Sequence, residues 1–270
     1  MNTDWMKEVY GNSKPIVAMC HLDALPGDPR YDSEKGMQYV IDRAYKNLMA
    51  LQDGGVDAVM FSNEFSLPYQ TKVDAVTAMA MARVIGELKK EIRIPYGVNV
   101  LWDAKASCEL AVCVGAGFVR EIFTGAYASD FGVWDTSCGD TVRRRNYIGG
   151  KNVKLMYNIL PEASVYISER EIEDIAKTTV FNCQPDVICV SGRTAGAKTD
   201  TSILERVKNA IPDTPVFANT GVRVETVKEQ LPIADGAVVG TAFKYNGDFY
   251  QMVDVDRVKR FMDAVMAVRK

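Results

Sequence analysis

Several side chains able to transfer protons follow short apolar runs of the sequence. The candidates for acid–base or ligand-orienting chemistry are His21, Asp23, Asn63, Asp103, Glu121 and Asn158. His21 is the single histidine, and an imidazole has an intrinsic pKa suited to proton transfer near neutrality. Carboxyl groups at such positions could serve as the working acid or base. The residue types therefore predict proton-transfer chemistry.

Each of these residues also has a structural interpretation. His21 could be a hydrogen-bonded core histidine, and Asp103 could cap a helix over residues 104–114. Glu121 could form a salt bridge with one of the three arginines at 143–145. One of those arginines could instead reach an anionic substrate. Asp23, Asp103 and Glu121 could together bind Mg²⁺, although their spacing does not indicate a metal site.

Three glycine-bearing turns near the end of the chain predict a phosphate site. They read SGRTAG (191–196), NTGV (219–222) and VGTAFK (239–244). Glycine allows the backbone to approach a ligand, and N–H groups at the start of a following helix point at an anion. The predicted phosphate-binding residues are Ser191, Gly192, Gly196, Thr220, Gly221, Gly240 and Thr241. The alternative is that these turns only lead tightly into helices.

The elements that would position these residues alternate between short β-branched runs and helical patterns. The predicted strands cover residues 16–22, 58–63, 96–101, 118–123, 153–159, 187–191, 216–219 and 237–240. Eight near-continuous apolar strands separated by helices are typical of a parallel sheet closed into a (β/α)8 barrel. We expect residues 1–270 to form one such α/β domain, with its functional groups at the carboxyl ends of the strands.

Two other features complete this interpretation. Asp57, Asp186 and Asp235 each precede a predicted strand, so we expect them at the opposite end of the barrel in structural roles. The long connection over residues 124–140 is a candidate active-site lid, because long βα loops commonly close over barrel sites.

Composition excludes several classes of protein. The net charge of −3 gives no general attraction to nucleic acid, and no apolar run is long enough to cross a membrane. The six cysteines include no C-x-x-C pair, which argues against a structural zinc site. Cys20 and Cys189 lie in apolar runs typical of buried reduced thiols. We expect a cytoplasmic homo-oligomer that needs no identified cofactor.

The sequence resembles the BtpA/SgcQ family of ribulose-phosphate-binding-type barrels. The resemblance covers nearly the whole chain and is carried by HLDALPGDP (21–29), Asn63 with Pro68 and Tyr69, GVNVLWDA (97–104), VREIFTG (119–125), SGRTAG (191–196), TPVFANTGV (214–222) and ADGAVVGTAFK (234–244). It departs from the family where Ser62-Asn63 replaces a Glu-Asn pair and where Pro161-Glu162 replaces a Lys-His pair. The resemblance implies a barrel with a phosphorylated ligand.

Together, the residues and the resemblance predict an enzyme that acts on a phosphorylated sugar or related small phosphoester. Isomerisation, epimerisation or carbon–carbon cleavage would use the strand-end carboxyl groups while the glycine turns hold the phosphate. The alternative is a non-catalytic assembly or regulatory factor that retains the phosphate-ligand site. The altered Pro161-Glu162 position favours this alternative weakly.

Overall fold

Eight parallel strands close into a barrel, as the sequence predicted. The computed structural model describes residues 4–192, 200–219 and 221–269. The barrel strands are β1 (Ile16–His21), β2 (Ala58–Ser62), β3 (Tyr96–Asn99), β4 (Phe118–Glu121), β7 (Lys154–Asn158), β9 (Val187–Ser191), β10 (Val216–Asn219) and β11 (Gly236–Val239). They pair in this order, and β11 returns to β1. All eight predicted strands are confirmed.

Helices follow the barrel strands and cover the outside of the barrel. They are α2 (Gly36–Asp53), α3 (Ala75–Leu88), α4 (Ala104–Val114), α5 (Cys138–Tyr147), α6 (Ile172–Cys183), α7 (Thr201–Ala210), α8 (Val224–Gln230) and α9 (Val255–Arg269). Two short 3₁₀ helices, Thr241–Phe243 and Tyr245–Gly247, lie between β11 and α9. Among the described helices, none is long and apolar enough to cross a membrane.

The barrel interior is filled by alternate residues of the strands, because successive side chains of a strand face opposite sides. Met19, Met60, Phe118, Cys189 and Phe217 belong to this inner apolar cluster. Cys20, next to Met19, belongs instead to the outer cluster between strands and helices. Cys20 and Cys189 are both buried free thiols, as expected.

The three aspartates that precede strands occupy structural positions. Asp57 accepts a hydrogen bond from the backbone N–H of Ile16 at 2.7 Å and pairs with Arg269. Asp235 accepts from the N–H of Val216 at 2.8 Å. In the same way, Asp186 accepts from the N–H of Leu155 at 2.9 Å. Each carboxylate thus satisfies an N–H at the start of a neighbouring strand, which confirms the structural interpretation.

A small second sheet lies over the carboxyl end of the barrel and was not predicted. Its strands are β5 (Ala126–Ser129), β6 (Gly132–Asp135) and β8 (Ser164–Tyr166), in the order β6-β5-β8. Tyr127 and Trp134 pack in its buried cluster, whereas Val133 on the other face is exposed. The segment interpreted as a long loop therefore contains a hairpin, which its short polar strands concealed.

Candidate functional site

A large cavity opens at the carboxyl ends of the barrel strands, where the functional groups were expected. Its volume is about 760 Å³, within the roughly 300–1,000 Å³ typical of small-molecule sites. Of the predicted residues, the cavity is lined by His21, Glu121, Asn158, Gly221, Gly240 and Thr241. These residues come from strand ends distributed around the barrel, so closure of the sheet brings them together.

Glu121 has the most perturbed carboxyl group in the cavity wall. It is 1% exposed and accepts hydrogen bonds from the Asn99 side chain at 2.8 Å and from the N–H of Ile122. Burial raises the pKa of Glu121 to about 7, although these hydrogen bonds and the Arg120 charge oppose the shift. A carboxyl group that titrates near neutrality can both accept and donate a proton, as acid–base chemistry requires.

The arginines expected as partners of Glu121 lie elsewhere, so that interpretation is wrong. They belong to α5, where Arg144 pairs with Glu109 at 2.7 Å and Arg145 donates to the carbonyl oxygen of Val153. None of the three lines the cavity. Glu121 is therefore free of an arginine salt bridge among the described residues.

His21 and Glu64 form a second pair of ionisable groups in the cavity. The Nε2 atom of His21 lies 3.8 Å from Oε2 of Glu64, which also accepts from Ser62 at 3.1 Å. Burial, assisted by the charge of Lys244, holds the pKa of His21 well below its usual range, so the imidazole is neutral at pH 7. Burial and the charge of Glu162 raise the pKa of Glu64. Burial thus disfavours the charged form of both groups.

Arg120 projects into the barrel from β4 and contributes a positive charge to the floor of the cavity. Its Nη1 atom donates to Oδ1 of Asn99 at 3.3 Å. The side chain is buried and lines the cavity together with Glu64 and Glu121. The floor thus combines an arginine with two carboxyl groups whose pKa values are raised.

Polar side chains at the ends of three adjacent strands form a hydrogen-bonded row. Asn219 donates to the Ser191 hydroxyl at 2.6 Å, and Ser191 donates to Oδ1 of Asn158 at 3.2 Å. Asn158 and Asn219 line the cavity, whereas Ser191 does not. Ser191 therefore orients the two amides instead of facing a ligand directly.

Two of the three predicted phosphate turns, those after β10 and β11, line the arc of the cavity opposite β4. Gly221 has a φ of +63°, a conformation that favours glycine, and it precedes Val222 and Arg223 on the cavity wall. A Cβ at Gly240 would lie 3.1 Å from Nε2 of His21, so this glycine also lets the histidine pack. Gly192 does not line the cavity, and Gly196 and Thr220 lie outside the described residues.

Arg257 lies behind these turns. Its Nε donates to the carbonyl oxygen of Ala242 at 2.9 Å, and the residue lines the cavity. The two 3₁₀ helices follow β11 on this side of the cavity. Lys244 between them is buried, donates to the carbonyl oxygen of Phe249 at 2.5 Å and does not line the cavity.

An aromatic wall closes the side of the cavity near β2 and β3. Tyr69, Trp102 and Phe131 line the cavity, and the rings of Trp102 and Phe131 lie 4.9 Å apart. Phe131 lies in the turn between β5 and β6, so the small sheet contributes directly to the site. This position agrees with the expected covering role of residues 124–140.

Three of the predicted catalytic residues do not line the cavity. Asp23 pairs with Arg43 at 2.5 Å and lines a separate surface depression. Asp103 caps α4 by accepting from the N–H of Ala106 at 2.9 Å, in agreement with its structural interpretation. Asn63 accepts from the N–H of Leu101 at 2.7 Å and ties two strand ends together. All three residues follow strand ends in the sequence, but the chain leaves the barrel axis at these points, so their side chains do not line the cavity.

These placements also bear on the magnesium hypothesis. Asp23, Asp103 and Glu121 do not converge, and no three His, Cys, Asp or Glu side chains form a metal-binding group in the part of the chain that the structure describes. Four further residues line the cavity but were not among the predicted site residues, namely Glu64, Tyr69, Arg120 and Glu162. The alternation of faces along β4, which points Arg120 inward with Phe118, was the available signal.

Comparisons with known proteins agree with this architecture. The model of the BtpA family matches residues 12–267. The chain is 60% identical to the putative sgc region protein SgcQ of Escherichia coli K12, covering 98% of this chain and 99% of that protein. It is 28% identical to the photosystem I biogenesis protein BtpA of Synechocystis, covering 96% and 90% of the two chains.

Solved structures with the same fold include an enzyme bound to a phosphorylated substrate. The (S)-3-O-geranylgeranylglyceryl phosphate synthase of Thermoplasma acidophilum, in complex with sn-glycerol-1-phosphate, matches with a TM-score of 0.63 at 15% identity and covers 99% of this chain and 100% of its own. The phosphoribosyl anthranilate isomerase of Thermus thermophilus matches with a TM-score of 0.57 at 8% identity, covering 94% and 99%. At these identities the likeness establishes the fold alone.

Proposed function

This chain belongs to the BtpA family, and from the geometry of its central cavity we propose that it is an enzyme acting on a small phosphorylated sugar or related phosphoester. The reaction is of the isomerase, epimerase or lyase type, with Glu121 as the principal acid–base group. The observation that carries this proposal is a buried carboxyl group with a pKa of about 7 in a cavity whose far wall consists of glycine turns.

The phosphate end of the ligand is assigned to the turns after β10 and β11. Gly221, Gly240 and Thr241 line the cavity there, at the place where (β/α)8 barrels frequently bind phosphate. Arg257 adds positive charge to the same arc. The neighbours that act on phosphorylated compounds, such as the synthase bound to sn-glycerol-1-phosphate, support this assignment by analogy.

The reactive carbons of the ligand would then extend toward β1, β2 and β4. Isomerisation and epimerisation next to a carbonyl group begin with removal of a C–H proton and pass through an enediolate or enolate. Aldol-type cleavage removes a hydroxyl proton, breaks the C–C bond and leaves the enolate of one product, which then takes up a proton. Glu121 would remove and return the proton, and Glu64 with the neutral His21 would hydrogen-bond the carbonyl or hydroxyl oxygens. A positioned general base typically contributes about 10²–10⁴-fold to the rate.

The test is exchange of substrate hydrogen with solvent. A panel of phosphorylated ketoses, aldoses, sugar acids and keto acids is incubated with the protein in D₂O, and incorporation at the carbon next to the carbonyl is followed by NMR. We expect incorporation with at least one compound and a loss of about 10²-fold or more in Glu121→Gln. Glu87→Gln, an exposed glutamate on α3, is the matched control and should exchange normally.

The regulatory alternative is distinguished by the same experiment. The name of the Synechocystis relative, a photosystem I biogenesis protein, describes a role in assembly. Tight binding of a phosphorylated ligand without exchange or turnover on any member of the panel would contradict the enzymatic proposal. That result would favour a ligand-binding assembly factor.

A further inference from the structure

Arg120 is a buried arginine without an acidic partner among the described residues. It is 9% exposed, and its Nη1 atom makes the 3.3 Å contact with Asn99. Its Nε atom is buried and has no hydrogen-bond partner. No carboxylate oxygen lies within 4.0 Å of its guanidinium among residues 4–192, 200–219 and 221–269. The cavity floor therefore contains a positive charge that this part of the chain does not pair.

Another deeply buried arginine among the described residues does have an acidic partner. Arg269 is about equally buried, and it forms an ion pair with Asp57. Arg43 and Arg206, which are more exposed, also pair with carboxylates. A guanidinium stays charged at all ordinary pH values, and leaving it buried and unpaired is strongly unfavourable. Such a cost is expected where a ligand supplies the missing anion.

The nearby glutamates do not supply that anion. The charge of Arg120 lowers the pKa of both Glu64 and Glu121, but burial outweighs it and raises both pKa values. Neither carboxylate touches the guanidinium. Glu121, with a pKa of about 7, carries only part of a charge at neutrality. An unpaired donor thus remains directed into a cavity that already holds acid–base groups.

We propose that the ligand carries a carboxylate, which Arg120 binds at the floor of the barrel. The planar fork of a guanidinium matches a carboxylate and binds it with two parallel hydrogen bonds. In the barrel order, β4 lies diametrically opposite β11, whose turn belongs to the proposed phosphate arc. The substrate class is therefore a small phosphorylated acid that spans the cavity, with its phosphate on one side and its carboxylate on the other.

This inference deepens the proposed function and rests on it for the phosphate end. It assigns the substrate to phosphorylated sugar acids or keto acids instead of neutral sugar phosphates. The reacting carbons would then lie between the two anionic groups, within reach of Glu64 and Glu121.

The experiment compares two probes by calorimetry. 3-Phosphoglycerate and glycerol 3-phosphate share a carbon skeleton and a phosphate, but only the first has a carboxylate. We expect the wild-type protein to bind 3-phosphoglycerate at least tenfold more tightly, because paired hydrogen bonds between two charged groups are among the strongest in proteins. Arg120→Gln should reduce this preference to less than threefold, and Arg120→Lys should give an intermediate preference.

A stability measurement separates binding from a structural role. If the unpaired charge is a cost in the free protein, ligand-free Arg120→Gln should have a Tm equal to or above that of the wild type. A marked fall in Tm would show that Arg120 supports the fold and would overturn the proposal. Equal affinity of the wild type for the two probes, or a preference that survives Arg120→Gln, would overturn it as well.

Two further probes, unphosphorylated glycerate and glycerol, separate the proposed carboxylate site from the proposed phosphate site. Arg120-dependent binding of glycerate without binding of either phosphoester would support the carboxylate site and contradict the phosphate site. Binding of both phosphoesters with equal affinity would do the reverse. Absence of binding by all four probes would contradict both.

Discussion

Glu121 shows how the surroundings of one residue set the pH range of its chemistry. It is the last residue of β4, where it is buried but still receives hydrogen bonds from Asn99 and Ile122. Burial disfavours the charged form more than these donors favour it, so its pKa rises from 4.5 to about 7. The same raised pKa that suits proton transfer means that ionisation of Glu121 destabilises the folded state relative to the unfolded chain.

The free energy of unfolding should therefore respond to pH through Glu121. Its raised pKa means that the native state binds the proton more tightly than the unfolded chain, so stability falls as pH rises from about 4.5 to 7. Glu121→Gln removes this loss. We expect the free energy of unfolding of the variant to exceed that of the wild type by up to about 3 kcal/mol at pH 8 and by little at pH 4. Urea unfolding at the two pH values measures this difference. An equal difference at both pH values would contradict the assignment.

Gly221 is the residue on which the phosphate assignment depends most directly. Its φ of +63° is strained for any residue with a Cβ, and its backbone faces the cavity. Gly221→Val should weaken binding of glycerol 3-phosphate at least tenfold, roughly 1.4 kcal/mol, in calorimetry.

A second glycine serves as the control for backbone strain, because valine at either position has an unfavourable positive φ. Gly11 has a similar φ of +75°, lies in the connection before β1, and has nothing within 4 Å of the position that a Cβ would take. Gly11→Val should lower the free energy of unfolding by about as much as Gly221→Val does, while the affinity for glycerol 3-phosphate should be unchanged. Normal affinity in a folded Gly221→Val protein would refute the phosphate site at this turn.

At the scale of elements, the β5–β6 hairpin links the small sheet to the cavity. Phe131 in its turn lies 4.9 Å from Trp102 and 5.8 Å from Tyr69, measured between ring centroids. On the opposite face of the hairpin, Val133 is 77% exposed. One face of the hairpin thus covers the cavity, and the other faces outward.

Shortening the cavity-facing side chain should weaken ligand binding. Phe131→Ala removes apolar surface from the cavity wall, and we expect Kd to rise roughly fivefold, which corresponds to about 1 kcal/mol. Binding of glycerol 3-phosphate can be followed by the fluorescence of Trp102 and Trp134. Val133→Ala changes the same hairpin on its exposed face and should leave Kd unaltered. Equal effects of the two substitutions would indicate a general change in hairpin stability.

For the whole molecule, the N-terminal helix α1 (Asp4–Tyr10) closes the end of the barrel opposite the cavity. Met6 and Tyr10 belong to the inner apolar cluster, and the Tyr10 ring lies 5.5 Å from that of Phe118. The Tyr10 hydroxyl lies 3.8 Å from the sulfur of Met156. A helix that precedes the first barrel strand therefore completes the core.

Loss of this closure should destabilise the barrel without changing its chemistry. Tyr10→Ala should lower the free energy of unfolding by about 3–5 kcal/mol, the usual cost of truncating a buried aromatic residue. Tyr147→Ala, at a side chain that is 84% exposed, should change it by less than about 0.5 kcal/mol. Urea unfolding of both variants tests this, and a small effect of Tyr10→Ala would show that α1 is dispensable.

The sequence by itself determined the barrel, because its information is local and repeated. Apolar β-branched runs such as 187–191 and 216–219 form strands that helices cover. An aspartate that precedes a strand accepts a hydrogen bond from an N–H at the start of the neighbouring strand, as Asp235 does from Val216. The glycine turns near Gly221 and Gly240 were predicted for the same reason, since backbone requirements are visible in single residues.

Only the tertiary structure decided which polar groups face the cavity. Asp23, Asp103 and Glu121 all follow or end strands, but one pairs with Arg43, one caps α4, and only Glu121 lines the cavity. The contacts of Arg120 and the packing of Phe131 against Trp102 depend on segments that are far apart in the sequence. Side-chain direction beyond a strand end is set by long-range packing, and local patterns do not encode it.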